Sequence, residues 1–230
     1  MLLGNASDVF KRMSHAAMRA GRRPEEVRLV AVTKTVGIEA IKQALDIGLR
    51  IFGENRVQEA KEKIEALATR APTGTEWHLI GHLQGNKAKY SVRLFDLIHS
   101  VDSEGLAGDL DNEARKLGKV QRVLIQVKIS EEVTKSGVAE KELPQLTEIV
   151  AEYKNLKLEG MMTIPPFFDD PERARPYFRR LRELRDELGK KGFNLPELSM
   201  GMSDDFEVAI EEGATLVRIG TAIFGERRIK

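Results

Sequence analysis

The sequence predicts an α/β protein, a single (β/α)8 barrel of the TIM type with an extra N-terminal helix. Short apolar runs rich in β-branched residues alternate with amphipathic helical patterns along the chain. Repeated βα units form parallel sheets, and eight units favour a closed barrel over an open doubly wound sheet, which is the alternative. The length of 230 residues suits one barrel, and no linker divides residues 1–230, so we expect one domain.

The leading helix is predicted over residues 1–21, because apolar residues recur there at helical spacing and Gly21 ends the pattern. Eight short apolar runs follow as predicted strands: 29–33, 50–53, 77–80, 97–101, 123–129, 156–162, 198–200 and 216–219. Helical patterns separate them: 38–48, 57–70, 86–94, 103–117, 141–153, 171–190 and 204–212.

Composition excludes several classes of function. Lys and Arg (37) nearly balance Asp and Glu (36), so the net charge of +1 gives no global attraction to nucleic acid or to an anionic membrane. The absence of cysteine removes disulfides, thiolate chemistry and cysteine-based zinc sites. No apolar run approaches the roughly 20 residues of a membrane helix, and charges interrupt the N-terminal segment where a signal peptide would be apolar. We expect a cytoplasmic protein.

Lys34 directly follows the first predicted strand. Barrels of this type carry their chemistry at the C-terminal ends of the strands and in the loops that follow. Burial disfavours the charged form of an amine there and frees the lone pair that attacks an aldehyde. A surface lysine at the end of a strand explains the same position.

Asn55 ends the second strand, where it can orient a ligand or cap the following helix. His78 and His82 stand four residues apart near the end of the third strand. That spacing aligns two metal ligands on a helix, whereas this stretch is predicted as strand and turn, so we predict no metal site.

Glycine-containing loops follow the last two strands. One contains Ser199 and Gly201, and the other contains Gly220 and Thr221. Barrels often bind phosphate between these loops, since glycine lets backbone N–H groups approach an anion. Turn formation and helix capping explain the same residues, and Asp204 with its neighbour Asp205 opposes an anion unless both side chains point outward.

Seven strings together resemble the pyridoxal phosphate homeostasis protein family: AVTKT (31–35), FGENRVQE (52–59), WHLIGHLQGNK (77–87), KSG (135–137), GMMTIP (160–165), LSMGMSDD (198–205) and RIGTAIFGER (218–227). The resemblance runs from the first strand to the last. It implies a pyridoxal 5'-phosphate (PLP) binding barrel of fold type III, similar to the barrel domain of bacterial alanine racemase.

The resemblance also implies residue roles. Lys34 matches the lysine that forms the Schiff base, an aldimine, with PLP. Ser199 and the Gly220-Thr221 turn match positions that bind the phosphate. Arg218 matches the arginine that faces the pyridine nitrogen.

Three further positions follow from the same resemblance. Asn55 matches an asparagine near the ring, and Lys135 matches a lysine suggested to help hand PLP on. His82 stands where many members have proline, so no family role is assigned to it.

The resemblance implies a PLP carrier and buffer that acts in intracellular PLP homeostasis without an assigned reaction. We expect a monomer whose partners are PLP and apo PLP-dependent enzymes. Arg218 donates only, so it leaves the ring nitrogen unprotonated and PLP a weak electron sink. Two alternatives remain: a stand-alone PLP-dependent amino-acid racemase, and a barrel that binds phosphate without PLP. A racemase needs a second base, a tyrosine opposite the lysine. The chain has three tyrosines, Tyr90, Tyr153 and Tyr177, and the last two fall in helical patterns.

Overall fold

A computed structural model describes residues 1–129 and 136–226 of the protein. Its strands are β1 Arg28–Val32, β2 Ile51–Glu54, β3 Glu76–Leu79, β4 Leu97–Val101, β5 Gln121–Lys128, β6 Val138–Ala139, β7 Leu156–Met162, β8 Glu197–Ser199 and β9 Leu216–Ile219. Its α-helices are α1 Leu2–Arg19, α2 Ile38–Asp46, α3 Val57–Leu67, α4 Ala88–Leu94, α5 Glu104–Lys116, α6 Leu143–Glu152, α7 Arg175–Lys190, α8 Phe206–Glu211 and α9 Thr221–Phe224.

Eight of these strands close into a parallel barrel. They pair in the order β1, β2, β3, β4, β5, β7, β8, β9, and β9 returns to pair with β1. The predicted (β/α)8 barrel with its leading helix is therefore confirmed. The two-residue strand β6 pairs with β5 alone. It is too short to produce a pattern that sequence analysis detects.

The barrel strands are buried on both faces, which explains their nearly continuous apolar sequences. In β1, Val30 belongs to the cluster that fills the barrel, whereas Leu29 and Ala31 belong to the cluster between the barrel and its helices. Alternate residues of a strand point to opposite faces of the sheet. The interior cluster is small and apolar, and polar residues share the interior with it.

Three predicted helices begin with one turn of 3-10 helix, over Gly85–Lys87, Glu140–Glu142 and Pro171–Ala174, before they become α-helical. Helix α9 was not predicted. It has four residues and follows β9 after one glycine, so it is too short to show an apolar period of 3.6 residues. Its position matters because it begins in the second of the two glycine-containing loops.

Helix α1 packs against α8 and α9, the two helices that follow those loops. The Asn5 amide donates to the Ile223 carbonyl at 3.0 Å, and Arg12 pairs with Glu207 of α8 at 2.7 Å. These contacts hold α1 against the two C-terminal helices. Within the two described ranges, no helix combines the length and the apolar character required to cross a membrane.

Candidate functional site

A pocket of about 820 Å³ opens at the C-terminal ends of the barrel strands. That volume lies within the range of sites that hold small molecules and cofactors. Five residues selected from the sequence line it together: Lys34, Asn55, Arg218, Gly220 and Thr221. They come from the ends of β1, β2 and β9, so barrel closure brings them to one place.

Lys34 is half-buried and lies in a tight turn after β1. The next residue, Thr35, has a positive φ of 62°, a conformation that costs free energy for a β-branched residue. The Thr35 N–H donates to Glu59 Oε1 at 2.5 Å. The backbone around Lys34 is therefore fixed by a contact from α3, about a full βα unit away.

Lys63 of α3 fixes the other side of this turn. Its buried ammonium donates to the Thr33 carbonyl at 2.5 Å, to Glu54 Oε1 at 2.8 Å and to Glu59 Oε1 at 2.6 Å. Burial raises the pKa of Glu54, although hydrogen bonds from Lys63 and Thr33 oppose this effect. Sequence analysis assigned no role to this network: Thr33, Glu54 and Glu59 stand within the strings quoted for the resemblance, but Lys63 lies outside them.

The loop between β8 and α8 approaches the start of α9. The N–H groups of Gly220 and Ala222 point at the Ser203 hydroxyl oxygen, at 3.4 and 3.3 Å. Gly201 in this loop has a φ of +90°, and a Cβ there would lie 2.5 Å from the Ala209 Cβ. Backbone donors thus converge on an oxygen atom at the wall of the pocket.

The two acidic residues of this loop have different surroundings. Asp205 accepts a hydrogen bond from the Met202 N–H at 2.6 Å, and burial raises the pKa of its carboxyl. Asp204 is exposed at the rim of the pocket. Asp205 therefore braces its own loop.

Ser199, expected to bind the phosphate, does not line the pocket. It is fully buried at the end of β8, and its hydroxyl lies 2.6 Å from Arg218 Nη1 and 2.9 Å from His99 Nδ1. A hydroxyl engaged inside the barrel is not presented to a phosphate in the pocket, so the expected contact does not hold. Ser203 has the position expected of Ser199. Sequence analysis overlooked it, although it follows Gly201 in the same loop.

Arg218 is 3% exposed, and it also donates from Nη2 to the Thr163 carbonyl at 2.9 Å. Burial lowers the pKa of Arg218 to about 10, against the favourable charge of Asp205. The guanidinium is still protonated at neutral pH, so it faces the pocket as a donor.

His78 and His82 occupy separate environments. His78 is buried in the barrel and contacts His99 at 3.0 Å and Glu76 at 3.1 Å. His82 is exposed in the pocket wall, 3.6 Å from an Asp102 carboxylate oxygen. No group of three or more potential metal ligands occurs in the part of the chain that the structure describes.

Asn55 lines the pocket after β2, and its backbone is closely packed. A Cβ added at Gly81 would lie 2.3 Å from the Asn55 carbonyl oxygen, so Gly81 permits this approach. Lys135, which the resemblance links to PLP transfer, lies outside the described residues.

Comparisons with known proteins identify the family of the chain. The family model described as alanine racemase, N-terminal domain, matches residues 11–228. The pyridoxal phosphate homeostasis protein of Aquifex aeolicus (strain VF5) is 51% identical over 223 residues, covering 96% of each chain. The protein of that name from Escherichia coli (strain K12) is 43% identical, covering 97% of this chain and 95% of its own.

Among solved structures, PipY of Synechococcus elongatus PCC7942, with PLP bound, has a TM-score of 0.83 and 37% identity, covering 98% of this chain and 100% of its own. An alanine racemase of Clostridium difficile 630 has a TM-score of 0.71 at 17% identity, covering 96% of this chain and 57% of its own. That second likeness concerns the fold alone. The chain belongs to the pyridoxal phosphate homeostasis protein family, within the group matched by the alanine racemase N-terminal domain model.

Proposed function

We propose that this protein binds PLP covalently through Lys34 and acts in PLP homeostasis as a carrier and buffer. The observation that carries the proposal is one pocket that joins a lysine at the end of β1 to convergent backbone donors after β9. The names of the relatives, and the PLP bound to PipY, support the same cofactor.

The residues fit PLP on their own chemistry. The Ser203 oxygen already occupies a point where two backbone N–H groups converge, as an oxygen of a phosphate would. Lys34 supplies an amine in the same pocket, and Arg218 supplies a cation on the adjoining wall. Bound PLP supplies an electron sink that is weak while its ring nitrogen carries no proton.

We assign each residue a role from its place in the pocket. Lys34 holds the aldehyde carbon, and the clamped turn around it keeps the amine aimed inward. Ser203, Gly220 and Thr221 hold the phosphate. Arg218 donates toward the ring nitrogen.

Covalent capture in an open pocket suits storage and transfer. Recipients are proposed to be apo PLP-dependent enzymes in the cytoplasm, and Lys135 is proposed to assist transfer. The protein is also proposed to act as a monomer of one domain.

Borohydride reduction of the PLP-loaded protein, followed by peptide mapping, tests the linkage. We expect a yellow protein whose reduced adduct lies on Lys34. Lys34→Ala should lose the adduct, whereas Lys89→Ala, a change at an exposed lysine beyond the pocket, should retain it. An adduct confined to another lysine, or a protein that takes up no PLP, would refute the proposal, and phosphate binding without PLP would favour the alternative barrel.

A further inference from the structure

Five polar side chains form a continuous line through the barrel interior, and the function proposed above uses only the last of them. Glu76 begins β3, and its Oε2 lies 3.1 Å from His78 Nε2. His78 Nδ1 lies 3.0 Å from His99 Nε2, and His99 Nδ1 lies 2.9 Å from the Ser199 hydroxyl. That hydroxyl lies 2.6 Å from Nη1 of Arg218.

The direction of these hydrogen bonds is fixed at the Glu76 end. Nη1 of Arg122 lies 2.8 Å from the same Glu76 oxygen, and an arginine only donates. Hydrogen bonds from His78 and then Arg122 lower the pKa of Glu76 to about 2, against the opposing effect of burial. Glu76 is therefore a carboxylate that accepts, so the proton on His78 lies on Nε2.

The accepting carboxylate of Glu76 also sets the proton positions on His99 and Ser199. Burial lowers the pKa of both His78 and His99, so each ring is neutral and carries one N–H. Because His78 Nδ1 accepts, His99 must donate from Nε2, which leaves His99 Nδ1 as an acceptor. The Ser199 O–H then donates to His99, and its oxygen accepts from Arg218. Within this line, each hydrogen bond is therefore donated in the direction from Arg218 toward Glu76.

This order matters because Arg218 is a buried cation. Among the residues that the structure describes, no carboxylate lies within ion-pair distance of its guanidinium. Asp205 favours its charge only from farther away. Aligned hydrogen bonds polarise one another, so the Ser199 oxygen becomes a stronger acceptor than an isolated hydroxyl. The negative charge of Glu76, at the other end of the line, thereby stabilises the charged form of Arg218.

We propose that His99 and Ser199 are positioning residues, which hold Arg218 as a fixed donor at the pocket wall while the compensating carboxylate stays remote. A carboxylate placed at the pocket itself would accept a proton shared with a ring nitrogen. The line of hydrogen bonds stabilises the charge of Arg218 without placing a carboxylate at the pocket. In its bearing on PLP, the inference rests on the function proposed above.

The hydrogen-bond direction can be measured on the protein without PLP. The chain has four histidines, and His15 and His82 are exposed, so they provide reference signals for the two buried rings. Long-range ¹H–¹⁵N NMR at pH 7 should show His78 and His99 neutral and protonated at Nε2. A proton on Nδ1 of His99 would overturn the proposal, since the line would then run in the opposite direction.

Two substitutions at one position test the link to Arg218. His99→Phe removes both hydrogen-bonding groups, whereas His99→Gln keeps one acceptor and one donor. In the PLP-loaded protein we expect His99→Phe to shift the visible absorption band and to weaken PLP retention by roughly 2- to 10-fold, the effect of one hydrogen bond. His99→Gln should restore most of both properties, and His15→Gln, a change at an exposed histidine of α1 that does not line the pocket, provides the surface control.

The outcomes separate the two proposals. A folded His99→Phe variant, verified by circular dichroism, whose absorption band and PLP retention match the parent would overturn the positioning role. If His99→Phe does not fold, the NMR assignment of the proton positions on His78 and His99 still decides. A parent protein that takes up no PLP would refute the proposed function, while the NMR assignment would stand or fall separately.

Discussion

Two serines four residues apart have opposite surroundings. Ser199 lies inside the barrel with its hydroxyl on Arg218, and Ser203 lies in the pocket wall beneath two backbone N–H groups. At the scale of single residues, the site depends on which hydroxyl reaches the ligand. Substitution of Ser203 should therefore affect phosphate binding, whereas substitution of Ser199 should affect the position of Arg218.

Ser203→Ala and Thr221→Ala should each weaken PLP retention while the fold stays intact. A hydrogen bond to a charged group contributes about 1.5–3 kcal/mol, which corresponds to roughly 10- to 150-fold in affinity. Equilibrium titration with PLP measures the effect, and Ser7→Ala on the exposed surface of α1 is the matched control. Unchanged affinity in both pocket variants would show that neither side chain binds the phosphate of PLP.

Glu76 gives stability a dependence on acid pH. Its pKa is about 2 in the folded protein against an ordinary 4.5, chiefly because His78 and Arg122 donate to it. Its contribution is therefore complete above about pH 4.5 and is lost as the pH falls through 2. The lost part should be about 1–2 kcal/mol, since partial exposure screens the carboxylate.

Denaturant unfolding between pH 7 and pH 2 checks this expectation. Glu76→Gln should remove part of the fall in the free energy of unfolding below pH 4.5, and Glu25→Gln, an exposed change, should leave it unaltered. Parallel curves for the parent and Glu76→Gln would show that Glu76 is not the group responsible.

At the scale of elements, the loop between β8 and α8 is shaped by one glycine. Gly201 has a φ of +90°, and added side-chain atoms there would meet Ala209 Cβ at 2.5 Å and Phe206 Cα at 2.9 Å. Strain at such a φ and overpacking each cost about 1–3 kcal/mol. The loop also carries Ser203, so its shape controls where the proposed phosphate-binding hydroxyl lies.

Gly201→Ala should lower the free energy of unfolding by about 2–4 kcal/mol and weaken PLP retention. Gly189→Ala is the matched control. Gly189 lies in α7 with no atom within 4 Å of an added Cβ, so alanine there should stabilise the helix by up to about 1 kcal/mol. Chemical denaturation of the three proteins decides, and equal stabilities would contradict the proposed packing constraint.

At the scale of the whole molecule, the barrel presents its lysine in a pocket whose described wall contains no tyrosine. Racemisation requires a general base on each face of the substrate. His82 in the wall is exposed, and its Nδ1 lies 3.6 Å from Oδ2 of Asp102. The described wall therefore offers the Lys34 amine no tyrosine as a second base.

We expect PLP-loaded protein incubated with L-alanine to racemise it at rates far below about 1 per second, the lower end of ordinary enzymatic turnover. Chiral chromatography of the product measures the rate, and an alanine racemase serves as the positive control. Sustained turnover at 1 per second or faster would favour the racemase alternative, and loss of that turnover in His82→Gln would identify the base.

The sequence by itself determined the eight barrel strands, most of the helices and the (β/α)8 barrel, because apolar periodicity and helix-ending glycines act over a few residues. It also selected five residues that line one pocket, since parallel strands bring their C-terminal ends to the same edge. These conclusions needed only local patterns and the rule for where barrel chemistry lies.

Tertiary structure alone decided the direction in which each polar side chain points. His99 and Ser199 are 100 residues apart in the chain, and Lys63 reaches Thr33 across 30, so no local pattern encodes either contact. The position of Ser199 inside the barrel rather than in the pocket follows from the way β8 sits in the closed sheet. Closure of the barrel, which is set by pairing between distant strands, determines which hydroxyl is left for the ligand.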